Sequence, residues 1–292
     1  MFPKGMEINL KIWIIYILLY GILRGTRDPI KKSVLKRTNV MTALFTYTFL
    51  GFIMTAVTSH GVFNVTPYFL FLVFIKSAAL FAGWLLSFAA IEKIPVSIYS
   101  LTDMSRVIFA TLMGIVFFGD SVTLRGMASL LLIAAGLYFA NSKKSRESEH
   151  YSIKYIGFAV LSCLLNAVSE TLDKYIMSSF DVTSSALQFW FMGILAFMYL
   201  AYILIKKVDF RIKEAVRDPW IYALSFSLVL GDRLLFIANS DPESTVTIMT
   251  LVKQSSAVIS ILIGKFVFKE KNILKKLVCA AVIIAGIMLA VL

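Results

Sequence analysis

Long apolar stretches alternate with short polar connectors along the entire chain. Most of the stretches have about 20 residues, the length that an α-helix needs to cross the hydrocarbon layer of a membrane. Helices are the expected structure, because a backbone inside the bilayer must satisfy its own hydrogen bonds and the alternating segments of a barrel are absent. The pattern predicts ten spans: Ile8–Arg27, Val40–Ser59, Tyr68–Glu92, Val96–Gly119, Thr123–Asn141, Ile153–Met177, Thr183–Ile205, Trp220–Asn239, Ser244–Phe268 and Ile273–Leu292.

Composition supports a membrane class. Hydrophobic residues make up 59% of the 292 residues and charged residues 16%, with a mean hydropathy of +0.83. A soluble domain carries about 25% charged residues. The composition therefore excludes a disordered chain, disfavours an ordinary cytosolic enzyme and predicts an all-α integral membrane protein without a separate soluble domain.

The two halves of the chain resemble each other. Four residues recur at an offset of 150, and two earlier ones recur at 142, which fits a longer connector around 210–218 in the second half. The pairs are Gly114 and Gly264, Phe118 and Phe268, Asp120 and Glu270, Gly136 and Gly286, then Asp28 and Glu170, Lys32 and Lys174. We therefore predict two repeats, residues 1–142 and 143–292, within one membrane domain.

Each predicted repeat has five spans, so the second copy must be inverted relative to the first. Inverted repeats are typical of secondary transporters, which bind their solute near the midplane, at the interface between the repeats.

One motif closes both halves: an apolar helix, a short acidic turn and a last helix that contains glycine. The turns are Phe117-Phe118-Gly119-Asp120 and Phe268-Lys269-Glu270. This arrangement resembles the EamA family of the drug/metabolite transporter superfamily, most clearly over Ile94–Ala140 and Ser244–Leu292. The resemblance implies ten helices in two inverted five-helix repeats around a cavity that opens alternately to each side. Asp120 and Lys269-Glu270 replace the family's usual Gly-Glu, and Tyr20-Gly21 replaces its Trp-Gly.

Charged residues lie inside several predicted spans, where each costs about 2.5–3.5 kcal/mol if it faces lipid. Asp103 and Arg106 are three residues apart and share one face of the fourth span. Lys253 and Gln254 lie in the ninth span. Asp103 and Lys253 occupy equivalent positions of the two copies with opposite charge, so we expect them to approach each other as an ion pair or through a shared ligand.

Further polar residues complete the predicted substrate-binding site. Asn166, Glu170 and Asp173 form a stripe on one face of the sixth span, and Lys76 and Trp84 share one side of the third span. Each charged group has a structural alternative, either a fixed internal salt bridge or a side chain that extends to the membrane surface. For Lys76 and Arg24, such a structural role is favoured over contact with the solute. Trp84 can instead serve only to pack against neighbouring side chains.

The sequence predicts no metal site, cofactor or catalytic group. Cys163 and Cys279 lie within apolar runs as small buried side chains, and His60 and His150 lie in connectors. No GxxxxGK[ST] loop for ATP is present. We therefore expect a protein that is not an enzyme.

The expected partners are a small-molecule solute and membrane lipid, with the protein a monomer or a homodimer. Repeated Gly-x3-Ala pairs in the last helix of each half would suit a dimer, although internal packing is favoured. The formal charge of +12 does not indicate nucleic-acid binding, because most basic residues lie in connectors.

The distribution of basic residues predicts an orientation. Of the 29 Lys and Arg residues, 20 lie on one side of the predicted spans and five on the other, namely Lys4, Lys11, Arg125, Lys174 and Arg233. The positive-inside rule places the first side in the cytoplasm and both termini outside. The family resemblance instead implies cytoplasmic termini, so the two criteria disagree. The expected location is the plasma membrane of a bacterium or archaeon.

The preferred function is a secondary transporter that moves a small polar or amphipathic metabolite, such as an amino acid, by alternating access. Groups of both signs favour a zwitterionic solute. Protonation of Asp103 or Glu170 would allow coupling, but neighbouring cations would hold these acids ionised, and uncoupled exchange is equally open. The alternatives are a membrane-embedded enzyme or a flippase subunit acting on a lipid-linked substrate.

Overall fold

The computed structural model describes residues 12–59, 62–118, 123–142, 150–180, 182–240 and 246–291, and this part of the chain is helical without strands. The helices are α1 Ile12–Leu35, α2 Val40–Thr58, α3 Pro67–Lys93, α4 Val96–Asp103, α5 Arg106–Phe118, α6 Leu124–Ala140, α7 Ile153–Ser179, α8 Ser184–Lys206, α9 Ile212–Arg217, α10 Pro219–Ser240, α11 Val246–Phe268 and α12 Ile273–Val291. The sequence features that lie outside the described residues include Lys4, Lys11, His60, Gly119, Asp120, Lys143, Lys144 and Arg146.

Side-chain caps explain where many of these helices begin. Asn39 accepts a hydrogen bond from the backbone N–H of Thr42 at 2.8 Å, and thus caps α2. Threonine or serine caps four further helices in the same way: Thr66 for α3, Thr123 for α6, Ser152 for α7 and Thr183 for α8. Each cap satisfies a backbone donor that the first turn of a helix leaves unpaired.

Five helical stretches in the described part are long and apolar enough to cross a membrane. They are Val40–Thr58, Pro67–Lys93, the broken pair Val96–Phe117, Ile153–Ser179 and Ser184–Lys206. The prediction of an all-helical membrane protein is confirmed at this level.

Three local features differ from the sequence prediction. Helix α1 continues to Leu35 instead of ending at Arg27, so Arg24 and Arg27 lie inside it. The fourth span is interrupted by a turn at Met104 and Ser105, which separates α4 from α5. The connector around 210–218 carries the short helix α9.

The main helix contacts form a regular set. Helix α1 packs on α10 and α11, and α7 packs on α3, α4 and α5. Helix α2 packs on α8 and α10, whereas α8 also packs on α3. Helix α6 also packs on α12, and α4 packs on α11. One apolar core joins α2, α3, α8 and α10, and a second joins α4, α6, α11 and α12. The polar residues described next lie between these cores.

Candidate functional site

A close approach of α1 and α11 forms one wall of the site. A Cβ atom at Gly25 would lie 2.7 Å from both the Ile259 Cβ and the Ser256 carbonyl oxygen, so only glycine permits this spacing. The Ser260 hydroxyl donates a 2.6 Å hydrogen bond to the Gly25 carbonyl across the same contact. Small residues thus bring the two backbones together and place Arg24 beside the polar face of α11.

A small polar cavity of about 20 Å³ lies between α1, α4 and α11. Its charged and amide-bearing side chains come from all three helices, which makes it a junction of the two sequence halves. The lining comprises Arg24, Asp28, Ser100, Asp103, Met104, Lys253, Gln254, Ser256, Ala257 and Ser260.

Charges of alternating sign extend from the cavity to α7. Arg24 Nη2 lies 3.3 Å from Asp103 Oδ2, and Arg106 Nη2 lies 2.8 Å from Asp103 Oδ1. The second arm of Arg106 reaches Glu170 Oε1 at 3.0 Å. We call Arg24, Asp103, Arg106 and Glu170 the charge chain. Asp103 and Arg106 lie on either side of the α4–α5 break, and their pairing offsets much of the desolvation that each charge would suffer alone.

Other partners surround this chain. The Tyr20 hydroxyl accepts a 3.0 Å hydrogen bond from Arg24. Asp28 accepts hydrogen bonds from Lys31 at 3.2 Å and from the Ser100 hydroxyl at 3.0 Å. The carboxylates of the cavity are therefore already paired with donors of the protein.

Lys253 and Gln254 line the same cavity as Asp103. Among the described residues, no carboxylate lies within ion-pair distance of the Lys253 ammonium group. Asp103 and Lys253, which are 150 residues apart in the sequence, thus share a cavity, and of the two only Asp103 has ionic partners among the described residues.

The third span contributes two buried interactions with α7. Lys76, whose side chain is 3% exposed, lies 2.9 Å from Asp173 Oδ2 and 3.2 Å from the Ser169 hydroxyl. The indole N–H of Trp84 donates to Asn166 Oδ1 at 3.2 Å. Neither Lys76 nor Arg24 extends to the membrane surface, and Trp84 contributes a hydrogen bond as well as packing.

The predicted polar stripe on α7 is divided between two neighbours. Asn166 and Asp173 contact α3, whereas Glu170 contacts Arg106 at the start of α5. Of the nine residues predicted for the site, Asp103, Arg106, Glu170, Lys253 and Gln254 belong to the cavity and its charge chain. Lys76, Asp173, Trp84 and Asn166 form a separate polar seam between α3 and α7.

A further charged contact joins α1 to α10. Arg27 Nη2 donates to the Ser227 carbonyl at 2.8 Å and lies 3.4 Å from Asp232 Oδ1. Asp232 lies within the predicted span Trp220–Asn239 and Arg27 at the end of the predicted span Ile8–Arg27, so the sequence gave no reason to pair them.

Glu270 binds the beginning of α4. Its carboxylate accepts hydrogen bonds from the backbone N–H of Val96 at 2.6 Å and of Ser97 at 3.2 Å, and also from the Ser97 hydroxyl. Lys276 lies 3.4 Å from the same carboxylate. The acidic turn of the second half therefore caps a helix of the first half, where the helix dipole favours a negative group. The equivalent acid, Asp120, lies outside the described residues.

Sequence reasoning left Arg24 out of the predicted site because it favoured a side chain that extends to the membrane surface, and it missed Asp28 and Ser100 as cavity residues. Arg24 and Asp28 are four residues apart and share one helical face, a spacing that would have grouped them. The predicted end of the first span at Arg27 concealed this signal.

Comparison with solved structures supports the fold over the whole chain. A crystal structure described only as that of a protein resembles the chain with a TM-score of 0.64 at 13% sequence identity, and the alignment covers 96% of each chain. At this identity the likeness shows the fold alone. A comparison with curated proteins finds no match.

A family model identifies the first half of the chain. The model of the EamA-like transporter family matches residues 11–142. This match includes α1, the α4–α5 pair with Asp103 and Arg106, and α6. The resemblance drawn from the sequence motifs is therefore confirmed over residues 11–142, where the chain is similar to the EamA-like transporter family of the drug/metabolite transporter superfamily.

Proposed function

We propose that the protein is a secondary transporter that carries a small polar or amphipathic metabolite by alternating access. The solute binds in the cavity against Asp103, Arg106, Lys253, Gln254 and Glu170. The polar seam of Lys76, Asp173, Trp84 and Asn166 adjoins this site. One observation carries the proposal: charged side chains from apolar helices of both halves converge on one cavity. In lipid, such charges are maintained where they serve a pathway or a partner.

The proposal includes ten spans in two inverted repeats, residues 1–142 and 143–292. In this layout the counterparts are α1 and α7, α2 and α8, α3 and α10, the pair α4–α5 and α11, and α6 and α12. The helix contacts support the layout, because each main contact remains a contact when both helices are replaced by their counterparts. Helix α1 on α10 corresponds to α7 on α3, and α2 on α10 corresponds to α8 on α3. The pairs α2–α8, α6–α12 and α4–α11 each join a helix to its own counterpart.

Glycines at the self-paired contacts support the repeats independently. A Cβ atom at Gly51 would approach Met192, and one at Gly193 would approach Phe52. These two glycines are separated by 142 residues, the offset found for the first part of each copy. Gly136 faces Ile283 and the Cys279 carbonyl, while Gly286 faces Ile133 and the Ser129 carbonyl. Each contact is repeated with the offset of 150.

The repeat interface suits alternating access. The cavity lies where α4 meets its counterpart α11, and α1 reaches it from the first repeat. A rocking motion of one repeat against the other would open such a site to one side and then to the other. We place this protein in the plasma membrane of a bacterium or archaeon.

Transport is tested with purified protein in proteoliposomes and a panel of radiolabelled amino acids, organic acids and organic cations. We expect saturable uptake of at least one solute, and at least a tenfold loss of uptake rate in Asp103→Asn. The control is Gly157→Ala, because a Cβ atom there would meet nothing within 4 Å. Uptake that does not saturate, or that Asp103→Asn leaves unchanged in folded protein, contradicts the proposal.

A further inference from the structure

The charges around the cavity are unequal, and the excess is positive. Arg24 and Arg106 are matched by Asp103 and Glu170 within the charge chain. Lys31 is matched by Asp28. Lys253 remains as an additional cation among the described residues that line the cavity or bond to its lining.

The donors of the site also exceed its acceptors. Asp103 and Asp28 each use both carboxylate oxygens on donors of the protein. By contrast, Arg106 Nε is buried without an acceptor in the described part of the chain. Gln254 adds an amide group beside Lys253 on the cavity wall. A solute that supplies negative oxygen atoms would satisfy Lys253 and Gln254 on the cavity wall, whereas a cationic solute would find the carboxylates of the cavity occupied.

We infer that the cavity takes a solute with an oxyanion group, a carboxylate or a phosphate monoester, and that Lys253 binds this group. The inference rests on the proposed transport function and specifies its substrate class. It narrows the zwitterionic expectation from the sequence, since only the anionic end of such a solute has an unpaired counter-charge. The Arg24–Asp103–Arg106 arrangement then serves as a fixed polar wall that orients the solute.

The empty protein offers a test that needs no ligand. Lys253→Met removes a charge that has no ionic partner in the described part of the chain, so we expect the apparent melting temperature in detergent to stay the same or to rise. The comparison variant Asp103→Asn separates two arginines from their shared carboxylate and should lower it. A fall with Lys253→Met as large as that with Asp103→Asn would show a paired lysine and overturn the inference.

Ligand binding is tested by thermal stabilisation with matched probes: lactate and lactamide, glycerol 3-phosphate and glycerol, and choline. We expect at least one oxyanion to stabilise the protein more than its neutral counterpart does. The carboxylate and phosphate arms distinguish the two sources of the oxyanion. For Lys253→Met, the Kd of that anion should rise about tenfold or more.

Two variants sharpen the result. Lys253→Arg, which keeps the positive charge, should retain binding within a few-fold, whereas Lys265→Met removes an exposed lysine of the same helix and should change nothing. The inference is overturned if no oxyanion stabilises the protein, if amides or choline stabilise it equally well, or if Lys253→Met binds normally. It is also overturned if Lys253→Arg loses binding, because a permanent charge would then fail to replace the lysine.

The same measurements separate this inference from the proposed function. Saturable uptake of a neutral or cationic solute that does not require Lys253 would support the proposed transport function and reject the anion site. Binding of an oxyanion through Lys253 without any uptake would instead support the anion site and reject the proposed transport function.

Discussion

Asp103 holds guanidinium groups from two different helices, Arg24 on α1 and Arg106 on α5. The two ion pairs bridge the break between α4 and α5 and connect it to α1. Both pairs are partly shielded from solvent, where hydrogen bonds to charged groups contribute about 1.5–3 kcal/mol each. Asp103 thus positions two cations at the edge of the cavity in addition to lining it.

Asp103→Asn should reduce the stability of the protein by about 1–3 kcal/mol, because two arginines lose their shared carboxylate. The measurement is the unfolding free energy in mixed micelles. The double variant Asp103→Asn with Arg106→Gln should lose less than the sum of the two single changes, with a coupling of about 0.5–3 kcal/mol. Strictly additive losses would mean that the two side chains do not interact.

Lys76 should behave as one half of a buried pair. Lys76→Met leaves Asp173 without its ammonium partner and should destabilise the protein, whereas Lys76→Met combined with Asp173→Leu should regain most of the loss. Thermal denaturation of the three proteins makes the comparison. If the double variant is less stable than Lys76→Met alone, the Lys76–Asp173 contact is not the reason for the loss.

Residue spacing predicted part of this site. The three-residue spacing of Asp103 and Arg106 indicated a shared face, and the offset of 150 led to Lys253. The same reasoning could not find the Arg106–Glu170 contact, since residues of two distant helices meet only through the fold. The same reasoning also ended the first span too early, at Arg27. The charge of Arg27 was taken to mark the end of a helix, although Ser227 and Asp232 of another helix bind this side chain inside the protein.

At the scale of the helices, glycine sets the distance between the last helices of the two halves. A Cβ atom at Gly286 would lie 2.9 Å from the Leu132 Cβ and 3.1 Å from the Ser129 carbonyl oxygen. Gly136 and Gly286 therefore serve contacts within the chain. Whether the protein also dimerises stays a prediction.

Gly286→Ala should destabilise the protein by about 1–3 kcal/mol, since α12 must move away from α6. Gly157→Ala, at an open position of α7, is the matched control and should be neutral or stabilising, because alanine favours the helix by up to about 1 kcal/mol. Melting temperatures in the same detergent measure both. Equal effects of the two substitutions would contradict close packing at Gly286.

Glu270 stabilises the first turn of α4 from another part of the chain. Glu270→Ala should cost about 0.5–2 kcal/mol, as expected for loss of a helix cap, and Glu270→Gln should cost less because the amide oxygen still accepts hydrogen bonds. Hydrogen exchange should accelerate at the amides of Val96 and Ser97 in Glu270→Ala. Unchanged exchange there would show that Glu270 does not cap the helix.

The helix pattern was largely predictable because apolar length and polar caps act locally. The α4–α5 break was not, since Met104 and Ser105 carry no proline or glycine signal and the turn depends on surrounding contacts. Cys163, for example, donates to the carbonyl oxygen of Thr102 just before the break. The short helix α9 was missed because its surroundings were assigned to a connector on polarity alone.

At the scale of the whole molecule, two basic connectors of the described part contact each other. Arg37 lies 3.0 Å from Asp218 Oδ1, and Asn39 donates to the Asp209 carbonyl, which joins the connectors before α2 and around α9. At the opposite end, Trp190 donates to the Val62 carbonyl. Arg24 and Arg27 leave the basic tally because each pairs with a carboxylate of another helix, Asp103 and Asp232, but the strong excess of basic residues on one side of the predicted spans remains.

This asymmetry predicts that both termini face outward. A C-terminal alkaline phosphatase fusion should therefore be active and a C-terminal green fluorescent protein fusion dark. The reverse result would place the terminus in the cytoplasm, where the family resemblance puts it, and would reject the charge-based orientation.

The most direct test of the account measures whether the cavity between the repeats opens to both sides. Ser100→Cys, in a Cys163→Ser and Cys279→Ala background, places one thiol on the cavity wall. A membrane-impermeant maleimide applied to either face of oriented vesicles should label it from both sides, whereas Ser129→Cys, buried where α6 meets α12, should stay unlabelled. Labelling of Ser100→Cys from one side only, or from neither, would contradict alternating access around this cavity.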